Sequence, residues 1–257
     1  MNFKLYKKLL SHSFQELLSY RLTAFLITFF GILFFATEII AGHIYFSVTD
    51  SLLGWNKLDY LILVASSTIM IHLHSTLFIA SQESLVDKIL EGDMDYTFVR
   101  PVSSYFFHIL YRIEYSSLIN LVIACIYQAY ILRDVELSFL TILGFVALIL
   151  LGTHMIFVLN QIVITISFWT ERSEKLMAVP EYLTDFSIRP HKIYPGFVRI
   201  IFMYILPILL SINAPTLLLR GEFHGTYLIV LLIANILLGI LSKFMWERGL
   251  RHYASAN

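Results

Sequence analysis

Apolar residues dominate six stretches of this chain, at about 22–48, 58–80, 106–132, 137–160 (continuing toward Trp169), 198–219 and 226–245. Each approaches or exceeds the roughly 20 residues that a helix needs to cross the hydrocarbon core. Strict apolar–polar alternation is absent, which argues against a membrane β-barrel. The pattern predicts an all-α membrane protein of six transmembrane helices, with 1–257 as a single domain. Ahead of the first span, Phe3, Tyr6, Leu10, Phe14 and Leu17 recur every three to four residues, while Lys4, Lys7, Lys8, Ser11 and Gln15 fall elsewhere. That periodicity predicts an amphipathic helix over 1–21 lying in the membrane interface. The alternative is that these residues simply begin the first span.

The polar connections are unequal. Those at 49–57, 133–136 and 220–225 are short, whereas 81–105 and 170–197 are long. Within 81–105, residues 84–90 read as a short amphipathic helix, with Gly92 as its stop and Pro101 opening the approach to the next span. Within 170–197, Leu176, Met177, Val179, Tyr182, Leu183 and Phe186 suggest another short helix, and Pro180, Pro190 and Pro195 punctuate it. Pro207 falls inside the fifth span and predicts a kink there, with an end near Pro215.

Composition narrows the class. Hydrophobic residues make up 58% and charged residues 14%, against roughly 45–50% and 25% in soluble domains. A soluble globule this apolar would expose more greasy surface than water tolerates. Lys+Arg and Asp+Glu are 18 each, so no bulk charge recruits nucleic acid. Placement of the cations is informative: 15 of the 18 Lys and Arg fall on the side shared by the N-terminus, 81–105, 170–197 and the C-terminus. The positive-inside rule puts that side, and both termini, in the cytoplasm. The opening residues lack the apolar core and cleavage site of a signal peptide. Cys125 is the only cysteine, so there is no disulfide framework and no cysteine-based metal site.

Several features in order resemble the permease subunits of type-2 ABC exporters over nearly the whole chain. They are the interfacial N-terminal helix, Gly92-Asp93-Met94-Asp95 leading to Arg100-Pro101-Val102, and Ser167-Phe168-Trp169 at the exit of the fourth span. Pro190 with Ile193-Tyr194-Pro195 then precedes Ile205-Leu206-Pro207 and Ala214-Pro215, and the chain closes on Trp246-Glu247-Arg248-Gly249-Leu250-Arg251-His252-Tyr253-Ala254-Ser255. The family's usual Tyr-Ser-Ser ending reads Tyr253-Ala254-Ser255 here. The resemblance implies a multi-pass subunit in the cytoplasmic membrane of a prokaryote. It would work with a second permease, the same or related, and with two cytoplasmic ABC ATPase subunits. ATP and Mg would reside on those partners, with no cofactor or metal on this chain. It also implies an ATPase-coupling element at Glu83, Ser84, Leu85, Val86, Asp87, Lys88, Ile89 and Leu90, continuing through Gly92, Asp93, Asp95, Arg100 and Pro101. A secondary cytoplasmic contact would fall at Glu174, Met177 and Pro180.

The residues agree with that division of labour, because no G-x-x-x-x-G-K-[ST] loop is present to cradle ATP phosphates. Phe34, Glu38, His154, Asn160, Pro207 and Asn213 are the candidate lining of a translocation path. Each also has a plainer reading: lipid contact for Phe34, an interfacial position for Glu38, interhelical hydrogen bonds for His154 and Asn160. Gly144, Gly152 and Gly239 suit close helix packing. His72 and His74, two apart, point about 200° apart around a helix and do not converge on one metal. Asp93 and Asp95 read as solvated loop acids. The competing functions are an ion-coupled secondary transporter, for which inverted repeats are lacking, and an intramembrane enzyme, for which no catalytic pairing stands out.

Overall fold

The computed structural model describes residues 3–95, 103–170, 176 and 178–253. The chain is helical, and the described residues contain no β-strand beyond an isolated bridge between Leu52 and Trp55. Helix α1 (Phe3–Ser19) stops at Tyr20, whose backbone leaves the helical region, and α2 (Arg21–Val48) starts afresh. The N-terminal segment is therefore a helix of its own, tied to the bundle when Arg112 pairs with Glu16 and Tyr115 Oη donates to Leu10 O at 3.3 Å.

Asn56 and Asp59 form a reciprocal cap at the start of α3 (Lys57–His74), each side chain accepting the other's backbone N–H at 2.9 Å. A π-turn (Ser75–Ile79) leads without a break into α4 (Ala80–Leu90). The sequence predicts a span ending near residue 80 and a separate short helix. The structure instead has one 33-residue rod over Lys57–Ile89, about 50 Å long and so longer than the ~30 Å hydrocarbon core. The widened turn has a structural use: Thr76 O accepts the N–H of Glu114 at 3.0 Å, which pins the incoming third span. Ser81 Oγ adds to the clamp, accepting from Arg112 N at 2.9 Å and donating to Arg112 O at 3.2 Å.

That third span begins later than the apolar run suggests. Residues 104–109 form a separate helix, α5 (Ser104–Ile109), and α6 (Tyr115–Leu132) starts where Glu114 caps it, accepting from Ser116 N at 3.0 Å. Helix α7 (Phe139–Thr165) is capped by Ser138 and runs on as a 3-10 turn to Phe168. Two ends of the bundle can now be told apart. A proximal end carries α1, the tip of α4, Arg112 and Phe168. A distal end carries the turns at 49–56, 133–138 and 220–224.

The remaining helices are α8 (Ala178–Ser187), α9 (Gly196–Ile200) with its π-turn to Ile205, α10 (Ile208–Leu219) and α11 (Gly225–His252). The segment 196–205 meets α10 at 88°. Pro207 is thus the first turn's cap for a new helix, its carbonyl accepting from Ser211 N at 2.9 Å, and not a kink within a continuous span. Pro215 does not end α10, which continues to Leu219. Lacking an N–H, Pro215 releases the carbonyl of Ser211, and that oxygen faces Gly152 on α7, where a Cβ would sit 3.2 Å from it and 2.5 Å from Met70 Sδ.

The loop predicted at 170–197 on the proximal side is also corrected. Glu181 lies within electrostatic reach of Glu83, Asp185 of Glu38, Arg189 bonds Glu38, His191 packs on Trp55 at 6.0 Å, and Lys192 pairs with Glu222 at 3.3 Å. The chain therefore travels from the proximal to the distal end through α8 and 188–191. Segment 196–219 then dips in from the distal face and returns to it. With Arg189, Lys192 and Arg199 moved, nine of the 15 basic residues among the described ones lie on the proximal side, so the charge bias keeps its sign. Among the described residues, five helices are long and apolar enough to cross a membrane, or six with the bent pair. Helix α3 with α4, α7 and α10 hold the core, while only 6% of the apolar window of α2 is buried.

Candidate functional site

At the proximal tip the sequence-predicted coupling residues separate into two faces. Leu85 is fully buried and Val86 is 4% exposed, so they belong to the core rather than to a docking face. Ile89 is partly buried against the same core. Glu83 and Asp87, four residues apart on α4, point outward. Ser84 Oγ turns back to Ser81 O at 2.8 Å, and Lys88 Nζ sits 3.7 Å over the Tyr111 ring. For Leu90 the backbone alone is described. Gly92 ends the helix at φ +78, the left-handed region that suits glycine. Met94, beyond it, tucks into the core, with its N–H on Lys88 O at 3.3 Å, while Asp93 is exposed and Asp95 half-buried. Arg100, Pro101, Glu174 and Met177 lie outside the described residues. Pro180 is buried within α8, which makes it a packing residue here and not a surface contact.

A polar thread joins this tip to the bundle. Gln82 Nε2 donates to Phe157 O and Gln161 Oε1, both at 3.2 Å, and Gln82 Oε1 lies 3.0 Å from His74 Nε2. All three side chains are buried. The signal in the sequence was the eight-residue spacing of His74 and Gln82, about two helical turns. Helix α5 docks on the same level: His108 stacks on Trp246 at 4.7 Å and Tyr105 Oη meets Ser242 Oγ at 3.0 Å. Burial, with Lys88 adding to it, lowers the His108 pKa to about 3, so this ring is neutral.

Further into the bundle, α2, α3 and α8 enclose a cavity of about 570 Å³. Glu38 stands ten residues from the distal end of α2, about 15 Å along its axis. Arg189 Nη2 and Nη1 grip Glu38 Oε1 and Oε2 at 2.9 and 3.0 Å, and Tyr60 Oη donates to Oε2 at 3.1 Å. Thr68, His72, Glu181 and Asp185 complete the polar wall, and Phe34, Phe35, Ile71 and Ile188 the apolar one. Of the predicted path residues, Phe34 and Glu38 share this cavity, Phe34 at its rim and 67% exposed.

The others serve elsewhere. His154 Nδ1 lies 2.8 Å from Asn235 Oδ1 and joins α7 to α11, the interhelical role weighed above. Asn160 bonds back to Ile156 O at 2.9 Å within its own helix. Asn213 is wholly buried behind the cavity: its amide donates to Ser187 O, Arg189 O and Leu209 O, and its oxygen accepts from His191 N at 3.0 Å. It holds the 187–191 turn that presents Arg189. Arg189 itself was assigned to the wrong end from the sequence, because its partner lies 151 residues away.

At the distal mouth, Arg220 pairs with Asp59 and Glu222, donates to Gly54 O at 2.9 Å and lies 5.0 Å over the Trp55 ring. Lys192 reaches the same Glu222. Burial opposes the Glu222 charge, but Arg220 and then Lys192 outweigh it and hold its pKa below the usual carboxylate value. Burial, with Lys192, Arg199 and Arg220 adding to it, lowers His191 to about 4. This latch ties the turns at 49–56 and 220–224 to Lys192, and only its individual charges were legible in advance.

Comparison with protein families matches residues 12–257 to the family described as ABC-2 family transporter protein. No curated protein and no solved structure matches the chain.

Proposed function

The chain belongs to the ABC-2 family of transporter permeases, and from that premise we propose that it forms the membrane-spanning half of an exporter driven by ATP hydrolysis on separate subunits. Two cytoplasmic ABC ATPases and a second permease, identical or related, complete the assembly in the cytoplasmic membrane of a prokaryote. The proximal end faces the cytoplasm. The observation that carries this reading is the rod Lys57–Ile89. It is too long for the bilayer alone, and its tip exposes Glu83 and Asp87 at the proximal end. A rigid lever of this kind transmits a push at its tip to Tyr60, Thr68 and His72 along its length. The buried Gln82–Gln161 bond carries the same displacement into α7.

Substrate would move along the face shared by α2, α3 and α8, where the mid-depth cavity lies. The exposed faces of α2 and α11 supply apolar surface for lipid and for the second permease. The deciding experiment is gentle purification from native membranes under ATP-trapping conditions, with mass spectrometry of the co-purifying chains. A Walker-motif ATPase near one copy per permease is the expected result. Its absence under crosslinking would end the ABC-driven reading.

A further inference from the structure

Helix α1 does not lie flush on the bundle. Between it and the turn ahead of α6 are two crevices, of about 340 and 290 Å³, which share Ser13, Glu16 and Arg112. The first is basic: Lys8, His12 and Arg112 line it, and Glu16 is its one carboxylate. Arg112 Nη2 pairs with Glu16, while Nε and Nη1 have no acceptor among the described residues. This side chain is 36% exposed, so its spare donors are open to a guest. Lys8 is exposed and enters no ion pair among the described residues. The second crevice runs from the same Glu16–Arg112 pair to Leu17, Ala24 and Ile27. There the exposed apolar face of α2 begins, at Leu22, Phe25 and Leu26. Glu114 also lines it, but its carboxylate caps α6 through Ser116 N. Ser116 is buried on the same wall, and its Oγ has no hydrogen-bond partner. A free anion would use the basic crevice and leave the other idle. A guest with an anionic head and an apolar body uses both.

We propose that the paired crevices bind one anionic phospholipid of the proximal leaflet, its phosphate on Lys8 and Arg112 and a chain along Leu17, Ala24 and Ile27. Guanidinium and ammonium groups suit phosphate oxygens, and anionic lipids are concentrated in the cytoplasmic leaflet. A zwitterionic lipid brings the same phosphate but adds a cation beside Lys8 and Arg112, which opposes its binding. The backbone of Arg112 is clamped by Ser81 of the long rod. A lipid held here therefore fastens α1 and the rod to the same leaflet. The proposal goes beyond the permease reading and needs no ATPase.

The test uses native mass spectrometry of the full-length permease in detergent. It is offered phosphatidylglycerol, phosphatidylcholine of the same chains, or inorganic phosphate. One phosphatidylglycerol retained per chain is expected, in preference to phosphatidylcholine. Retention should weaken at least about tenfold in the double variant Lys8→Gln, His12→Gln, as loss of a charge-assisted contact would give. Ala24→Trp, which fills the apolar crevice, should weaken it similarly. Lys7→Gln is the control, an exposed lysine on the same helix outside both crevices. None of these changes removes the Glu16–Arg112 pair, and each protein must elute as a monodisperse peak. Equal retention of the two lipids, or a loss in Lys7→Gln as large as in the double variant, would overturn the proposal. So would unchanged retention in the double variant or in Ala24→Trp. Release of phosphatidylglycerol by millimolar inorganic phosphate would assign the basic crevice to a free anion instead.

Discussion

Arg189 holds Glu38 by two parallel hydrogen bonds of 2.9 and 3.0 Å, joining the turn after α8 to the middle of the first span. Both side chains are about one-third exposed, so solvent screens part of their attraction. Removing one partner strands the other in apolar surroundings. Arg189→Gln and Glu38→Gln are each expected to lower stability by about 1–3 kcal/mol, with the double variant losing less than the two singles together. Thermal unfolding of the four proteins in one detergent checks this. Additive losses would mean that the pair does not interact energetically.

The exposed and buried faces of α4 give opposite expectations. Asp87→Lys and Glu83→Lys are expected to cut substrate-stimulated ATP hydrolysis of the reconstituted complex by roughly tenfold, as loss of a charged interface contact does. Their melting temperatures should stay near that of the parent. Leu85→Ala, at a fully buried position, is expected to cost about 2–5 kcal/mol of stability instead. Normal coupling in both charge variants would remove α4 from the ATPase contact.

Sidedness can be read by labelling. With Cys125 replaced by Ser, a cysteine at Lys192 is expected to react with an impermeant maleimide from the same side as one at Asp50, and one at Asp93 from the opposite side. Reaction of the Lys192 and Asp93 cysteines from one side would restore the loop that the sequence predicts at 170–197.

Acid should loosen the protein through two buried imidazoles. The pKa values of His191 and His108, lowered to about 4 and about 3, lie below the unfolded value near 6.5. Between those values the unfolded chain binds more protons, so stability is complete above about pH 6.5 and falls as the pH drops. At pH 5 each contributes a loss of about 2 kcal/mol. His191→Gln is expected to flatten the decline in melting temperature between pH 7 and 5. An unchanged slope would show that His191 does not titrate with unfolding.

Gly152 sits where α3, α7 and α10 meet. A methyl there presses on Met70, which can swing away, and on the Ser211 carbonyl, which is backbone and cannot. Gly152→Ala is expected to cost about 1–3 kcal/mol, whereas Gly239→Ala, whose Cβ would meet only His154 at 3.6 Å, should be nearly silent. Equal melting temperatures would show that the junction has room for a methyl group.

The long apolar runs made α2, α7 and α11 legible, and Gly92 marked where α4 ends. Hydropathy alone placed the third span's start too early, because α5 is apolar and buried without crossing anything. The apolar pattern within 170–197 does suggest a short helix where α8 lies, but as a surface loop helix and not as the link between the two ends. Glu181 and Asp185 of α8 are exposed where they line the cavity, and Arg189 reaches the distal half because Glu38 neutralises it. Both facts depend on partners far along the chain. Asn213, buried and fourfold bonded, stood out only as one polar residue in an apolar stretch.

The dipping segment 196–219 leaves and returns on one face, so it contributes nothing to the parity of crossings. Parity then rests on α8, the shortest traverse and the least apolar. Phe3 and Tyr253 lie at the same end of the bundle because that traverse is completed. If α8 failed to insert during biogenesis, α11 would be drawn in from the wrong side, with Arg248 and Arg251 stranded across the bilayer. The sidedness of the last helix therefore turns on a segment too short and too polar to be counted as a span by hydropathy.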